Sequence, residues 1–262
     1  SVTNILEQSL NTGAVFVMQK LGKERFASYL NNFQLGSKTG IPLTGEVSGN
    51  LDSILNLERE VEFATASFGQ GIAVTPLGFT RAIAALANHG KLMKPIIVSK
   101  VIKEGEAVKV FEPQEVVQVI SPRAAESISR ILVDVVDKTL AGGKIKIPGF
   151  SIAAKTGTAQ IPSQDARGYS DEYLHTFFGY LPAFDARAVV FMGLVKPKGV
   201  RYASESLAPA FSDISRFLIN YYDIPPDNLP FSSSTYEPTS AGEANYHTGY
   251  RHPLLFSRGA SG

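Results

Sequence analysis

The sequence predicts an α/β chain of the α+β type, an antiparallel sheet flanked by helices. Three observations lead there. Helix signals with their punctuation fill much of the first 140 residues, three strand-like segments follow in near succession, and one last amphipathic stretch closes the patterned region.

The helices come in order. The stretch from Val15 and Phe16 through Leu21 stops at Gly22, a residue suited to the left-handed backbone that ends helices. Lys23 to Phe33 follows with Phe26, Leu30 and Phe33 on one face. Thr75-Pro76 places a capping hydroxyl directly before proline at the first helical position, opening a helix through Ile83 and Leu86 to about Gly90. Ser121-Pro122 repeats that signature for a helix to about Leu140, striped by Ile128, Ile131, Leu132 and Val135. Strands are predicted at Ile96–Ile102, Ser151–Ala159, His175–Leu181 and Ala188–Val195. A closing helix is predicted from Ala208 to Tyr222, with Phe211, Ile214, Phe217 and Leu218 facing inward.

Residues 1–222 therefore read as one packed domain. Residues 223–262 read as a polar Pro/Ser/Gly-rich tail, mostly disordered, because their scattered aromatics lack the periodicity that offsets ordering entropy. With 262 residues and 44% hydrophobic content the chain can bury a sizeable core. A net charge of +1 gives no sign of a nucleic-acid partner. There is no cysteine, hence no disulfide framework or thiolate metal site, and this suits an extracytoplasmic bacterial protein. The apolar run Ala188 to Val195 is too short to span a bilayer, and the first residues read as neither signal peptide nor anchor. Any membrane attachment is expected to lie outside this sequence.

Two short patterns carry chemistry. In Ala154-Lys155-Thr156-Gly157-Thr158-Ala159-Gln160, strand alternation puts Lys155 and Gly157 on one face, a cation beside a position without a side chain. Thr156 and Thr158 add hydroxyls able to bind a carboxylate. A polar edge strand is the plainer reading of such a tripeptide alone. Lys38-Thr39-Gly40 repeats it between Gly36 and Pro42, in turn chemistry, and is assigned no catalysis. Ser9-Leu10-Asn11 is the second pattern. It reads either as a turn whose side chains serve the local backbone, or as a proton-transfer hydroxyl followed by an amide that can grip a peptide.

The two patterns stand among others in one order. Gln8 to Ala14, Gly36 to Glu46, Ser67-Phe68-Gly69-Gln70-Gly71-Ile72-Ala73-Val74-Thr75-Pro76-Leu77, Ala87 to Gly90, and Ala154 to Gln160 together resemble class B penicillin-binding proteins across nearly the whole ordered length. Ser-x-x-Lys, a serine–asparagine box and Lys-Thr-Gly are the recognised trio of such enzymes. The stretch Ser67–Leu77 is the most specific of the matches. One departure accompanies them: no Ser-x-x-Lys occurs anywhere in the chain, and Ser151 and Lys155 are one residue too far apart to form it.

The resemblance implies a penicillin-binding transpeptidase or β-lactamase-like fold, incomplete at its N-terminal side, in a peptidoglycan D,D-transpeptidase whose nucleophile segment is not in this chain. It implies that Ser9 relays a proton, Asn11 holds the substrate's peptide bond, Lys155 supplies a cation, Thr156 and Thr158 receive the terminal carboxylate, and Gly157 belongs to the substrate-binding strand beside them. The implied partners are stem peptides ending in D-Ala-D-Ala, β-lactam antibiotics, the remaining N-terminal portion of the domain and the cell-wall synthesis machinery, at the outer face of the cytoplasmic membrane. No metal or organic cofactor is implied. His89, His175, His247 and His252 lack ligand spacing and read as structural or exposed.

Rival readings have specific weaknesses. A class A β-lactamase places Glu-x-x-Leu-Asn between the second and third motifs, whereas here that string, Glu7 to Asn11, overlaps the second. A carboxypeptidase is chemically close, but Ser67–Leu77 resembles the transpeptidases. A non-catalytic scaffold or β-lactam sensor has no need of Ser9, Lys155 and Gly157.

Overall fold

The two helix starts predicted from a hydroxyl before proline, at Thr75 and Ser121, are built as those caps dictate. The computed structural model describes residues 1–55, 59–163 and 168–228. Helix α1 (Val2–Glu7) starts at Ser1, α2 (Asn11–Leu21) ends at Gly22 with φ 86°, and α3 (Lys23–Asn32) begins directly after it. The short helices α4 (Asp52–Leu55) and α5 (Glu60–Ala66) lead to α6 (Pro76–Ala87), where Thr75 Oγ1 accepts from Gly78 N at 3.1 Å. Helix α7 (Pro122–Lys138) is capped alike, with Ala124 N donating to Ser121 Oγ at 3.2 Å.

Between α6 and α7 lie two antiparallel pairs. Strand β1 (Lys91–Met93) pairs with β4 (Glu115–Gln118), and β2 (Lys100–Lys103) with β3 (Glu106–Val110). The single strand expected at Ile96–Ile102 is thus corrected: only its last three residues are extended and paired. The chain bends at Ile97 and Ser99, and the partner strand reaches only to Val110 opposite Lys100; a two-residue turn at Glu104 and Gly105, both with positive φ (55° and 86°), then folds the chain back at Lys103.

The principal sheet follows as β5 (Ala153–Pro162), β6 (Tyr169–Leu181) and β7 (Ala188–Val195), antiparallel throughout, in that spatial order. Helices α8 (Ala203–Ser206) and α9 (Ala208–Tyr221) close the fold. Both sheet faces are covered. On one, Phe177 stacks on Phe211 of α9 with ring centroids 4.5 Å apart. On the other, Phe79 of α6 meets Phe178 and Phe191 edge-on at 6.0 and 5.5 Å. Helix α7 borders both faces, Val135 and Val136 joining the first cluster and Leu132 the second. Its Ser129 hydroxyl bonds Tyr180 at 2.8 Å, satisfying a phenol buried in the sheet.

Two further expectations are corrected. Phe217 is 61% exposed, and the buried line along α9 is Phe211, Ser215 and Ile219. At about 100° per residue, Phe217 sits about 240° around from Phe211, away from the sheet. The domain also runs past Tyr222. Ile224 is buried, Asp227 N donates to Gly149 O at 3.0 Å, and the Asp227 carboxylate accepts from Ser151 N at 2.7 Å and from Ser151 Oγ. Residues 223–228 therefore clasp the lead-in to β5. The remainder of the expected tail, including His247 and His252, lies outside the described residues.

Candidate active site

Strand β5 forms one edge of the principal sheet, so its outer side faces no strand among the described residues. Which peptide groups look outward follows from the ladder. Tyr173 O accepts from Lys196 N at 2.9 Å, so odd-numbered residues of β6 turn their backbone groups towards β7 and even-numbered ones towards β5. Thr176, Phe178 and Leu174 face Gly157, Lys155 and Ala159, whose peptide groups point inward. Those of Thr156, Thr158 and Gln160 point to the open edge. Lys155 Nζ, donating to Thr156 O at 2.9 Å, shows that this edge is where the lysine curls.

Ser9 meets Lys155 there. It links α1 to α2 in the left-handed region, φ 51°, a conformation that costs a serine about 1–2 kcal/mol. The turn is held by Leu10 N donating to Ile5 O at 3.0 Å. Helix α1 is in turn fixed by Leu6 against the main core cluster, and Ile5 fills the space over Gly13 of α2. Out of this turn the Ser9 hydroxyl receives a hydrogen bond from Lys155 Nζ, across 146 residues of sequence. Burial pulls the Lys155 pKa down to about 8, because desolvation disfavours its charged form. Asn11, the first residue of α2, is exposed two positions beyond Ser9.

The expected sharing of a face by Lys155 and Gly157 is borne out by the register, which pairs them with Phe178 and Thr176. Gly157 has a neighbour that alternation alone could not identify: a β-carbon there would lie 2.5 Å from Thr176 Oγ1. Thr156 and Thr158 project to the other face, and Thr158 Oγ1 accepts from Ala203 N of α8 at 3.1 Å. A hydroxyl that accepts from α8 keeps its own proton for another acceptor. A ligand lying along the open edge thus meets the ammonium and serine hydroxyl from one side and the threonine hydroxyls from the other.

Beyond Thr158 the edge continues into a groove of about 640 Å³, walled by Ala159 to Pro162 and by Gly69, Gln70, Gly71 and Ile72. The Ser67–Leu77 stretch, noticed for its pattern, therefore lines the continuation of the site. Its contact with β5 had no signal in residue spacing.

The second tripeptide is placed as expected, in a loop. Glu46 binds it with one carboxylate oxygen accepting from Thr39 N and Thr39 Oγ1, both at 2.6 Å, and the other from Gly40 N at 3.1 Å. The Thr39 hydroxyl holds the Glu46 carboxyl below its ordinary pKa. Lys38 is exposed, and Arg81 Nη1 donates to Thr39 O at 3.4 Å. This is a closed structural loop.

A serine hydroxyl and a lowered-pKa lysine meet beside an open strand edge, within an antiparallel sheet packed between helices. Residues 1–216 match the family described as the penicillin binding protein transpeptidase domain. The chain belongs to that family, as a class B transpeptidase domain. It is 35% identical over 217 residues to stage V sporulation protein D of Bacillus subtilis, covering 81% of this chain and 33% of that protein. It is 30% identical over 234 residues to the peptidoglycan D,D-transpeptidase FtsI of Escherichia coli, covering 87% and 37%. Among solved structures, penicillin-binding protein 3 of Mycobacterium tuberculosis in complex with aztreonam superposes with a TM-score of 0.79 at 29% identity, over 87% of this chain and 53% of that one. The same protein has also been solved with ampicillin. The chain spans about a third of the length of these curated relatives.

Proposed function

We propose that this chain supplies most of the donor-peptide-binding machinery of a peptidoglycan D,D-transpeptidase that works through a serine acyl-enzyme and is acylated by β-lactams. The observation that carries the reading is the hydrogen bond from Lys155 Nζ to Ser9 Oγ at the open edge of β5. In the complete enzyme a serine outside this chain attacks the penultimate carbonyl of a D-Ala-D-Ala stem peptide. The terminal D-alanine leaves, and an amine of a neighbouring stem peptide then takes the acyl group.

The residues here divide that work. Ser9 passes a proton towards the leaving amine, with Lys155 holding its hydroxyl in line. The Lys155 cation also depresses the pKa of a base lysine brought near it. Asn11 binds the substrate's peptide bond through its amide. The Thr158 N–H, on the open edge, supplies one donor to the oxyanion, and Thr156 and Thr158 take the terminal carboxylate. The setting is the outer face of the cytoplasmic membrane, in company with other cell-wall synthesis proteins. The competing reading is a non-catalytic scaffold or β-lactam sensor.

Labelling with fluorescent penicillin, followed by a denaturing gel and intact mass, separates the two. The 262-residue chain alone is expected to form no stable penicilloyl ester, because Ser9 is a relay and half of the oxyanion hole is elsewhere. Adding the native N-terminal portion as a second polypeptide is expected to restore labelling on that portion. A stoichiometric adduct on this chain alone would overturn the assignment of Ser9. No labelling of the reassembled pair would favour the scaffold.

A further inference from the structure

His175 takes no part in the chemistry above, yet it is fully buried and directly opposite Thr158 in the β5–β6 register. Paired residues share a sheet face, so its ring lies on the same side as the Thr158 hydroxyl. Its Nε2 is 3.0 Å from Arg201 O, and its Nδ1 is 2.8 Å from Ser206 Oγ. A carbonyl oxygen only accepts, so Nε2 carries a hydrogen and donates to it, while Nδ1 shares a hydrogen bond with the serine hydroxyl. One imidazole therefore fastens both ends of residues 201–206 to β6. Ala203, between the two fastenings and fully buried, is the residue whose N–H reaches across to Thr158 Oγ1 at 3.1 Å.

The consequence for Thr158 is directional. A threonine hydroxyl at a strand edge can settle in several rotamers and can spend its proton on its own backbone or on water. With Ala203 N–H donating to it, one lone pair is occupied and the proton must point elsewhere. Helix α8 is a single turn whose own cap, Glu205 Oε2 accepting from Arg201 N at 3.2 Å and Tyr202 N at 2.9 Å, is internal to the segment, whereas the His175 bonds tie it to the sheet. An apolar ring at 175 would fill the same volume but leave Arg201 O and Ser206 Oγ without these bonds.

We propose that His175 is a positioning residue for the ligand's carboxylate: by tethering Arg201 and Ser206 it sets Ala203, which aims the Thr158 hydroxyl proton at the anion. This rests on the transpeptidase reading, and specifically on Thr158 receiving a carboxylate.

The first experiment needs only the 262-residue chain. Hydrogen exchange of the Ala203 amide is followed by NMR in the parent, His175→Phe, His175→Gln and Ser206→Ala. Exchange is expected to quicken about tenfold or more in His175→Phe, to quicken less in Ser206→Ala, and to return towards the parent in His175→Gln, whose amide can still donate to Arg201 O. Unchanged Ala203 exchange in His175→Phe, or in folded Ser206→Ala if His175→Phe does not fold, overturns the inference and leaves the proposed function intact.

The second uses the full-length enzyme with its nucleophile, comparing acylation by benzylpenicillin and by its methyl ester. His175→Phe is expected to slow the acid about tenfold, the scale of one hydrogen bond to a charged group, and the ester within about twofold. Combining it with Thr158→Val should add nothing further. Equal losses on acid and ester for His175→Phe would reduce His175 to a structural role. Equal losses for Thr158→Val alone would instead sink the carboxylate assignment, and this role with it.

Discussion

Lys38-Thr39-Gly40 and Lys155-Thr156-Gly157 are one tripeptide on two backbones. In the first, the threonine is buried and spends its N–H and hydroxyl on Glu46, while the lysine points to solvent. In the second, the strand turns the threonine's peptide group outward, and the lysine is drawn down beside Ser9. The residue types decide nothing by themselves. What separates the copies is whether the backbone donors are consumed locally by a carboxylate or left open at a sheet edge.

That contrast can be broken most sharply by removing each ammonium. In the reassembled enzyme, Lys155→Ala is expected to slow acylation by a chromogenic β-lactam about a hundredfold, the scale of losing one preorganised electrostatic group. Lys38→Ala should stay within about twofold of the parent. Stopped-flow rates on the two variants decide the matter, and a Lys155→Ala enzyme near parental rate would dissolve the distinction.

The glycines should fail for different reasons. Gly157→Ala forces a methyl group against Thr176 and is expected to cost about 1–3 kcal/mol in urea unfolding, with much of it recovered by Thr176→Ala. Gly40→Ala places a side chain at φ 75° with only Lys94 Cε nearby, at 3.8 Å. It should cost about 1–2 kcal/mol, with no rescue from Thr176→Ala.

Smaller effects appear in the pH dependence of stability, and they have opposite origins. Lys155 has a folded pKa of about 8 against an ordinary 10.5, so between these values the unfolded chain binds more protons. The cost of burying the cation is fully present below about pH 8 and fades as pH rises to 10.5. Relative to Lys155→Met, the parent should gain stability across that window. Glu46 behaves in the reverse sense. Its folded pKa is depressed, so its contribution is present above the ordinary carboxylate value of 4.5 and is lost as pH falls through the folded value. Glu46→Gln should lower the urea midpoint at neutral pH, and the gap should close in acid.

Legibility in the sequence followed the range of the interaction. Thr75-Pro76, Ser121-Pro122 and Gly22 are local devices, and each marks a helix end where expected. Ala188–Val195 is a strand over the residues expected of it. Glu104-Gly105 makes the same turn as Asn-Gly, but glutamate is a weak turn signal, so no local pattern marks the β2–β3 hairpin. Apolar periodicity points to Phe217 on α9, but the buried line runs through Ser215, a polar residue. Within the site, the shared face of Lys155 and Gly157 is a period-two fact that spacing reveals. The meeting of Ser9 with Lys155 came from the collinear family motifs, since no local pattern spans 146 residues. The Ala203 bond to Thr158 and the Asp227 clasp on Ser151 had no signal of either kind.

The open edge of β5 also measures what it holds. From Ala154 on, every second residue, Thr156, Thr158 and Gln160 included, presents its peptide group outward. An extended peptide laid against this ruler cannot slide smoothly; it advances in jumps of two residues, about 6.8 Å. An extended peptide placed one step out of register would therefore overshoot the Ser9–Lys155 pair by a whole dipeptide. Fidelity at such an edge is counted in discrete notches, and the choice of which bond is presented is made by register before any proton moves.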